Sequence, residues 1–365
     1  MGSAARSLSC ETVTSRPAGP PPIGRISAVG PQAFSSQARP GPLVDVDELD
    51  YAIFRQLSPD GLIRFWGSRR TVDPRTSARE VADRVGLSEA GVRARLKNLE
   101  QLGYLRGRES WPNPGLFGAS LVTAELPIPG PEEAARLRRE LALVEGVTFA
   151  RDILDETDRK IVVYYVSDIP SATARRTSLL QRLSPGQRIR GPVPYWLPPC
   201  SRSLTPLDWR LVRGFRQRPE ATLAELADHV GVSPKTGSQR LYRLLDDRAC
   251  WSTLSSDSEE MPLAMVTLRL RPGADPAAIG REAVERTPGW MPVAPDGMGL
   301  PPEARNGVVA GLVPAGAPAA IERVLRGILG IEGVAGVRRT FALGSQSYPQ
   351  WVDEQLARTA PPRGG

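Results

Sequence analysis

"VADRVGLSEAGVRARLKNLEQLGYL" fills residues 81–105, and "LADHVGVSPKTGSQRLYRLLDDRAC" fills residues 226–250. An offset of 145, from Val81 to Leu226, aligns the two without a gap. Glu80, Ala82, Asp83, Val85, Gly86, Ser88, Arg95, Leu96 and Leu99 recur as Glu225, Ala227, Asp228, Val230, Gly231, Ser233, Arg240, Leu241 and Leu244. Each copy opens on a capping box, Ser77 with Glu80 or Thr222 with Glu225, in which hydroxyl and carboxylate satisfy the unpaired N–H groups of a helix start. Gly86 or Gly231 then stands where a helix ends in a left-handed residue. Ser88 or Ser233 caps a longer third helix, with Pro234 at its first position in the second copy. Helix, short glycine turn and capped helix make a helix-turn-helix.

Upstream of each copy lies a further helix. In "VDVDELDYAIFRQL" (44–57), Asp47 can cap, Asp50 follows three residues later, and Leu49, Ile53 and Leu57 share one face. In "LTPLDWRLVRGF" (204–215), Thr205 caps, Pro206 takes the first helical position, Asp208 completes the box, and Leu207, Leu211 and Phe215 form the stripe. These helices align at an offset of 158, from Asp50 to Asp208, so the first copy carries an insertion within "SPDGLIRFWGSRRTVDPRT" (58–76). Downstream, "ASLVTAEL", "PEEAARLRRELALVE", "GVTFARDIL", "RKIVVYYVS" and "SATARRTSLLQRL" read strand, helix, strand, strand, helix. "LAMVTLRL", "DPAAIGREAVERT", "NGVVAGLVP", "PAAIERVLRGIL" and "VAGVRRTFAL" give nearly the same order. Its weakest element is the second strand near Trp290, interrupted by Pro292 and Pro295.

The expected fold is therefore α+β: two winged helix-turn-helix domains, each followed by a ferredoxin-like βαββαβ sandwich. The boundaries are a tail at 1–42, helix-turn-helix domains at 43–110 and 203–256, sandwiches at 118–200 and 261–345, and a C-terminal tail at 346–365. The first tail is rich in Pro, Gly, Ser and Ala and has no hydrophobic period, which predicts disorder. A net charge of +7 and a pI near 9.7 favour an anionic partner. Cys10, Cys200 and Cys250 are far apart in sequence, form no CxxC pair, and suggest neither a disulfide framework nor a zinc site. No apolar run approaches the roughly 18 residues of a membrane span, and no signal core is seen. A cytoplasmic protein without cofactor or metal is expected.

The third helix carries the chemistry. Val92, Leu96 and Leu99 share a buried face over Val85 and Leu87, so a step of about 100° per residue turns Ala90, Arg93, Ala94 and Lys97 outward. Arg93 and Lys97 can reach phosphates or guanine edges, and the small Ala90, Gly91 and Ala94 permit close approach to bases in a major groove. Ser88 with adjacent N–H groups can hold a phosphate, and Arg106 and Arg108 on "YLRGRES" form a basic wing. The second copy offers Lys235, Ser238, Gln239, Tyr242 and Arg243, with Gln239 suited to adenine. Its wing, "WSTLSSDSEE", is acidic, and Asp246 and Asp247 close its third helix, so electrostatics favour the first copy as the main contact. Arg95 and Arg240 are expected to form intradomain ion pairs, since each copy keeps Glu80 and Asp83 or Glu225 and Asp228. His229, the only histidine, sits at a helix end and reads as a surface or capping residue. Trp66, Arg69 and Arg70 read as a packed loop, and Trp111 and Trp196 as packed hinge aromatics.

"VDELDYAIFRQL…SAREVADRVGLSEAGVRARLKNLEQLGYL" followed by a βαββαβ module resembles the leucine-responsive/asparagine-operon regulators (Lrp/AsnC). The resemblance implies a winged helix-turn-helix that reads double-stranded promoter DNA. It also implies a sandwich that associates through sheet faces, often with a small-molecule effector between subunits. Two fused units imply a homodimer or an intramolecular pseudo-dimer. The Gly-Asp-type turn frequent near the family's effector is replaced by "LDETDRK" and "PPEARN", so no effector residues are assigned. Sirohaem decarboxylases of haem biosynthesis share the architecture and give an enzymatic alternative, for which Arg151, Tyr164 and Tyr165 are available although neither sandwich has a histidine. A third reading is a partner-binding adaptor.

Overall fold

The computed structural model describes residues 48–57, 77–101, 107–155, 158–197, 199–200, 203–219, 221–255, 263–287, 290–293, 308–314 and 318–359. The expected tail at 1–42, the insertion at 58–76 with Trp66, Arg69 and Arg70, and Cys10 lie outside these residues. So do Arg106, the "PPEARN" connection and the acidic end of the second wing.

Helices α1 (Glu48–Leu57), α2 (Ala78–Val85) and α3 (Glu89–Gln101) lead into strand β1 (Gly107–Pro112). A run of β2 (Ser120–Pro127), α4 (Pro131–Leu141), β3 (Val147–Leu154), β4 (Arg159–Ser167), α5 (Pro170–Leu183) and β5 (Arg190–Tyr195) follows. The same succession then returns as α6 (Pro206–Gln217), α7 (Leu223–Val230), α8 (Pro234–Asp246) and β6 (Cys250–Ser255). It continues with β7 (Leu263–Leu270), α9 (Pro276–Arg286), β8 (Met291–Val293), β9 (Val309–Pro314), α10 (Pro318–Leu329) and β10 (Val334–Ser347). A final helix, α11, spans Gln350–Thr359.

Local chemistry sets these ends. The Ser77–Glu80 and Thr222–Glu225 boxes both close, with Glu80 N–H donating to Ser77 Oγ over 3.2 Å and Glu225 N–H to Thr222 Oγ1 over 3.2 Å. Gly86 and Gly231 end α2 and α7 at φ 72° and 75°, the left-handed region that a Cβ disfavours.

Among the described residues, eight strands form one sheet in the order β5-β2-β4-β3-β10-β7-β9-β8. Each half has the ferredoxin-like order, its fourth strand beside its first and its third beside its second. The halves meet where β3 pairs antiparallel with β10. Val122, Ala124 and Leu126 of β2 pack beneath α4 and α5, and Ala264, Val266 and Leu268 of β7 pack beneath α9 and α10. Leu154 of β3 stands opposite Phe341 of β10, which joins the second of these cores, so all four helices cover the same face. Within the chain the sandwiches therefore join edge to edge, where the family resemblance implied association through sheet faces. The reason lies in β10, which continues past the expected Leu343 to Ser347. Its first part bonds to β7, and Phe341–Ser347 bonds to β3. "GSQS" has no apolar alternation, and only the neighbouring strand's backbone makes it a strand. At the outer edges, β5 reads "RGPVPY" and β8 "MPV", each carrying proline.

Residues 346–365 are not simply a tail. Trp351, Val352 and Leu356 of α11 are buried against Leu211 and Phe215 of α6. This core also takes in Trp111, Leu121 of β2 and Val166 of β4, so α6–α8 are built into the largest apolar cluster among the described residues. Among the described residues, Ile53, Val81, Ala82 and Val92 form the core of α1–α3. Cys200 and Cys250 both pack into the larger cluster, and burial, with Cys200 adding to it, pushes the Cys250 thiol up to about 12. No helix among the described residues is long and apolar enough to cross a membrane, and no group of potential metal ligands occurs among them.

The two trios differ most sharply where their second and third helices touch. Val92 is fully buried in the first, while the second has Gly237, where an added methyl would sit 2.8 Å from the Ala227 methyl. Because the crowding atom belongs to a packed helix, Gly237→Ala should destabilise the second trio by about 1–3 kcal/mol. Urea unfolding followed by tryptophan fluorescence measures it; an unchanged midpoint shows that α7 and α8 can move apart.

Candidate nucleic-acid interface

The first trio presents α3 by burying one stripe of it. Val92 and Leu99 are buried and Leu96 is half-buried, while Ala90, Arg93, Ala94 and Lys97 are exposed and Gly91 is half-buried. Ser88 is exposed, and its Oγ accepts the Gly91 N–H at 3.1 Å, so its first role is to start the helix. Gly91 keeps space for that cap, since a Cβ there would lie 3.2 Å from the oxygen. Arg93 lies along the helix on Glu89, at 2.6 Å, with 71% of its side chain exposed. In the second trio Lys235, Gln239, Tyr242 and Arg243 are exposed and Ser238 is half-buried.

Arg95 and Arg240 make intradomain ion pairs, but with carboxylates of the first helix. Arg95 Nη1 meets Asp50 Oδ1 and Arg240 Nη1 meets Asp208 Oδ1, each at 2.9 Å. Glu80 and Glu225 are engaged in their own capping boxes, which leaves the buried Asp50 and Asp208 as partners. Asp208 does two jobs: Oδ2 accepts from the Thr205 N–H and hydroxyl at 3.0 and 2.7 Å, and Oδ1 takes Arg240. Alignment of the first helices at their own offset already pairs Asp50 with Asp208, and this was the available signal.

The wing strands do not stand free. β1 and β6 pair antiparallel over their whole lengths, Trp111 opposite Trp251 and Arg108 opposite Leu254. Asn113 and Arg216 fasten this ribbon to the second trio. Asn113 N–H donates to Ala249 O at 2.8 Å, and Asn113 Nδ2 donates to Arg248 O at 3.0 Å. The Arg216 guanidinium lies 4.7 Å over the Trp111 ring, donates to Ser110 O and pairs with Asp353 of α11 at 3.0 Å. Asn113 and Arg216 escaped sequence reasoning. The Asn-Pro step hinted at a turn, whereas nothing local marks Arg216.

On the sheet face away from the helices, Tyr164 stacks edge-on to Phe149 and Tyr195 at 5.6 and 5.2 Å, and Arg151 lies over Phe149. Burial pushes the Tyr164 phenol up. Tyr165 points the other way, buried beneath α5 with its hydroxyl 2.9 Å from Thr177 Oγ1. The Arg and Tyr set available for an enzymatic site is thus split between two faces. His229 is exposed in the last turn of α7.

A family model described as winged helix-turn-helix DNA-binding matches residues 71–106. The chain is similar to an uncharacterized HTH-type transcriptional regulator of Pyrococcus furiosus, with 27% identity over 115 residues, covering 31% of this chain and 64% of that protein. That span is under two thirds of the relative's length. The HTH-type transcriptional regulator LrpA of Pyrococcus horikoshii is 34% identical over 128 residues, covering 31% of this chain and 82% of that one. Among solved structures, that of the siroheme decarboxylase NirDL covers 86% of this chain and 98% of its own, at 12% identity and a TM-score of 0.42.

Burial alone would raise the Asp208 carboxyl, but the Thr205 hydroxyl and N–H and the Arg240 guanidinium outweigh it and hold the group below its ordinary 3.8. A carboxyl depressed in the folded state stabilises above its unfolded pKa and loses that contribution as pH falls through the folded value. Asp208→Asn should therefore cost about 2 kcal/mol at neutral pH, with the difference from wild type shrinking as pH drops below about 4. Urea melts at pH 7 and pH 3 check this; a gap of equal size at both would assign the loss to shape and not to charge.

Proposed function

The chain belongs to the Lrp/AsnC family, and from that premise we propose that it is a sequence-specific, DNA-binding transcriptional regulator with α3 as its main contact. One observation carries the reading: α3 exposes Ala90, Arg93, Ala94 and Lys97 together, with cations placed beside small residues that let a base edge come close. The Glu89–Arg93 pair is no obstacle. An exposed pair of this spacing is worth about 0.3–0.5 kcal/mol, against about 1–3 kcal/mol for a good guanidinium–guanine contact. Arg93 therefore leaves Glu89 for DNA.

On this reading the repeated order of elements is a tandem duplication, and the β1–β6 ribbon supports an intramolecular pseudo-dimer. The protein works in the cytoplasm as a binder and not a catalyst. The division of Tyr164 and Tyr165 between opposite faces supports that choice over a decarboxylase. A small-molecule effector acts through the sandwiches, and its chemistry is left open.

Arg93→Ala and Lys97→Ala should each weaken binding to a selected promoter fragment about 5- to 100-fold. A lost phosphate contact also lowers the slope of log affinity against log salt by about one. Unchanged affinity and slope in both variants would remove α3 from the groove. Glu89→Gln, which releases Arg93 and deletes a negative charge near the phosphates, should strengthen binding about two- to fivefold in the same titration; weaker binding would show that Glu89 orients Arg93 productively.

A further inference from the structure

We infer that a single chain reads a bipartite duplex whose two half-sites differ, α3 taking one half through Arg93 and Lys97 and α8 the other through Gln239. This rests on the regulator reading above and adds the form of the DNA. The first observation is the ribbon. In an antiparallel pair of strands a local two-fold relates one strand to the other, and here each strand follows its own third helix after a short connection. Gln101 precedes β1 and Asp246 precedes β6, so α3 and α8 feed the ribbon from opposite ends. A dimer that reads inverted half-sites presents its recognition helices in this way, and one chain already supplies both.

The second observation is where the two helices agree. At the offset of 145 the half-buried Leu96 and the buried Leu99 match Leu241 and Leu244, and the ion-pairing Arg95 matches Arg240. The outward positions do not match at all: Ala90 faces solvent where the second helix has Lys235, Ala94 where it has Gln239, and Lys97 where it has Tyr242. Arg93 corresponds to the half-buried Ser238, and Asn98 to Arg243. The scaffold is kept and the reading face is replaced. A palindrome offers both helices the same base edges, which two such different faces cannot both fit. Arg and Lys reach the O6 and N7 acceptors of guanine, whereas a Gln amide both donates and accepts and so fits adenine N6 and N7. Tyr242, 39% exposed beside Gln239, adds an apolar surface for a thymine methyl.

Selection of the purified full-length chain on a library of random duplexes tests this. The expected motif has two unlike half-sites at fixed spacing, one with a guanine and one with an adenine as its strongest position, and native mass spectrometry finds one chain per duplex. Repeating the selection with Arg93→Ala should relax only the first half and with Gln239→Ala only the second, each by roughly 5- to 100-fold at the affected base. Both residues are exposed, and matching thermal midpoints confirm that the variants fold. An inverted repeat with identical halves, or either substitution relaxing both halves, overturns the inference and leaves the regulator reading intact. A selection that enriches no motif overturns the regulator reading and this inference with it.

Discussion

The pairing of β1 with β6 is the constraint on which the rest depends. A two-stranded ribbon in water is marginal by itself, so its persistence has to come from what covers it. Trp111 and Trp251, opposite one another in the register, are both buried in the cluster that holds α6, α8 and α11 together. Asn113 ties the end of β1 to the turn before β6, and Arg216 packs its cation on Trp111 while reaching both β1 and α11. Once these contacts form, the ribbon, α6, α8 and α11 are held in one arrangement by hydrogen bonds and apolar burial, while the two halves of the sheet join separately where β3 pairs with β10.

The second trio shares its core with the ribbon, with Leu121 and Val166 of the sheet, and with the C-terminal helix. Among the described residues, the first packs Ile53, Val81, Ala82 and Val92 within its own helices and adds the Arg95–Asp50 pair.

Much of this was legible in the chain. The capping boxes, the glycine turns and the buried Val92 and Leu99 follow from short-range rules, because the atoms that satisfy one another lie three or four residues apart. The outward set on α3 was readable for the same reason, since helical phase alone decides which residues escape the core. What stayed hidden depends on partners distant in sequence. The end of β10 has no strand pattern of its own and borrows its structure from β3. The helix at 350–359 is too short to announce itself and is held by Trp351 against a core assembled from the middle of the chain. Arg216 is an ordinary helical arginine until the ribbon brings Trp111 beneath it. Sequence also separates Cys200 from Cys250, which folding gathers into one cluster.

The two outermost strands have a consequence for growth of the sheet. Pro192 and Pro194 in β5 and Pro292 in β8 lack the N–H that an incoming strand would need, and β8 has just three residues on which to template one. Proline in both edge strands disfavours lateral extension there. A further chain would find broad sheet faces or helical flanks, where side-chain shape and not backbone hydrogen bonding selects a neighbour.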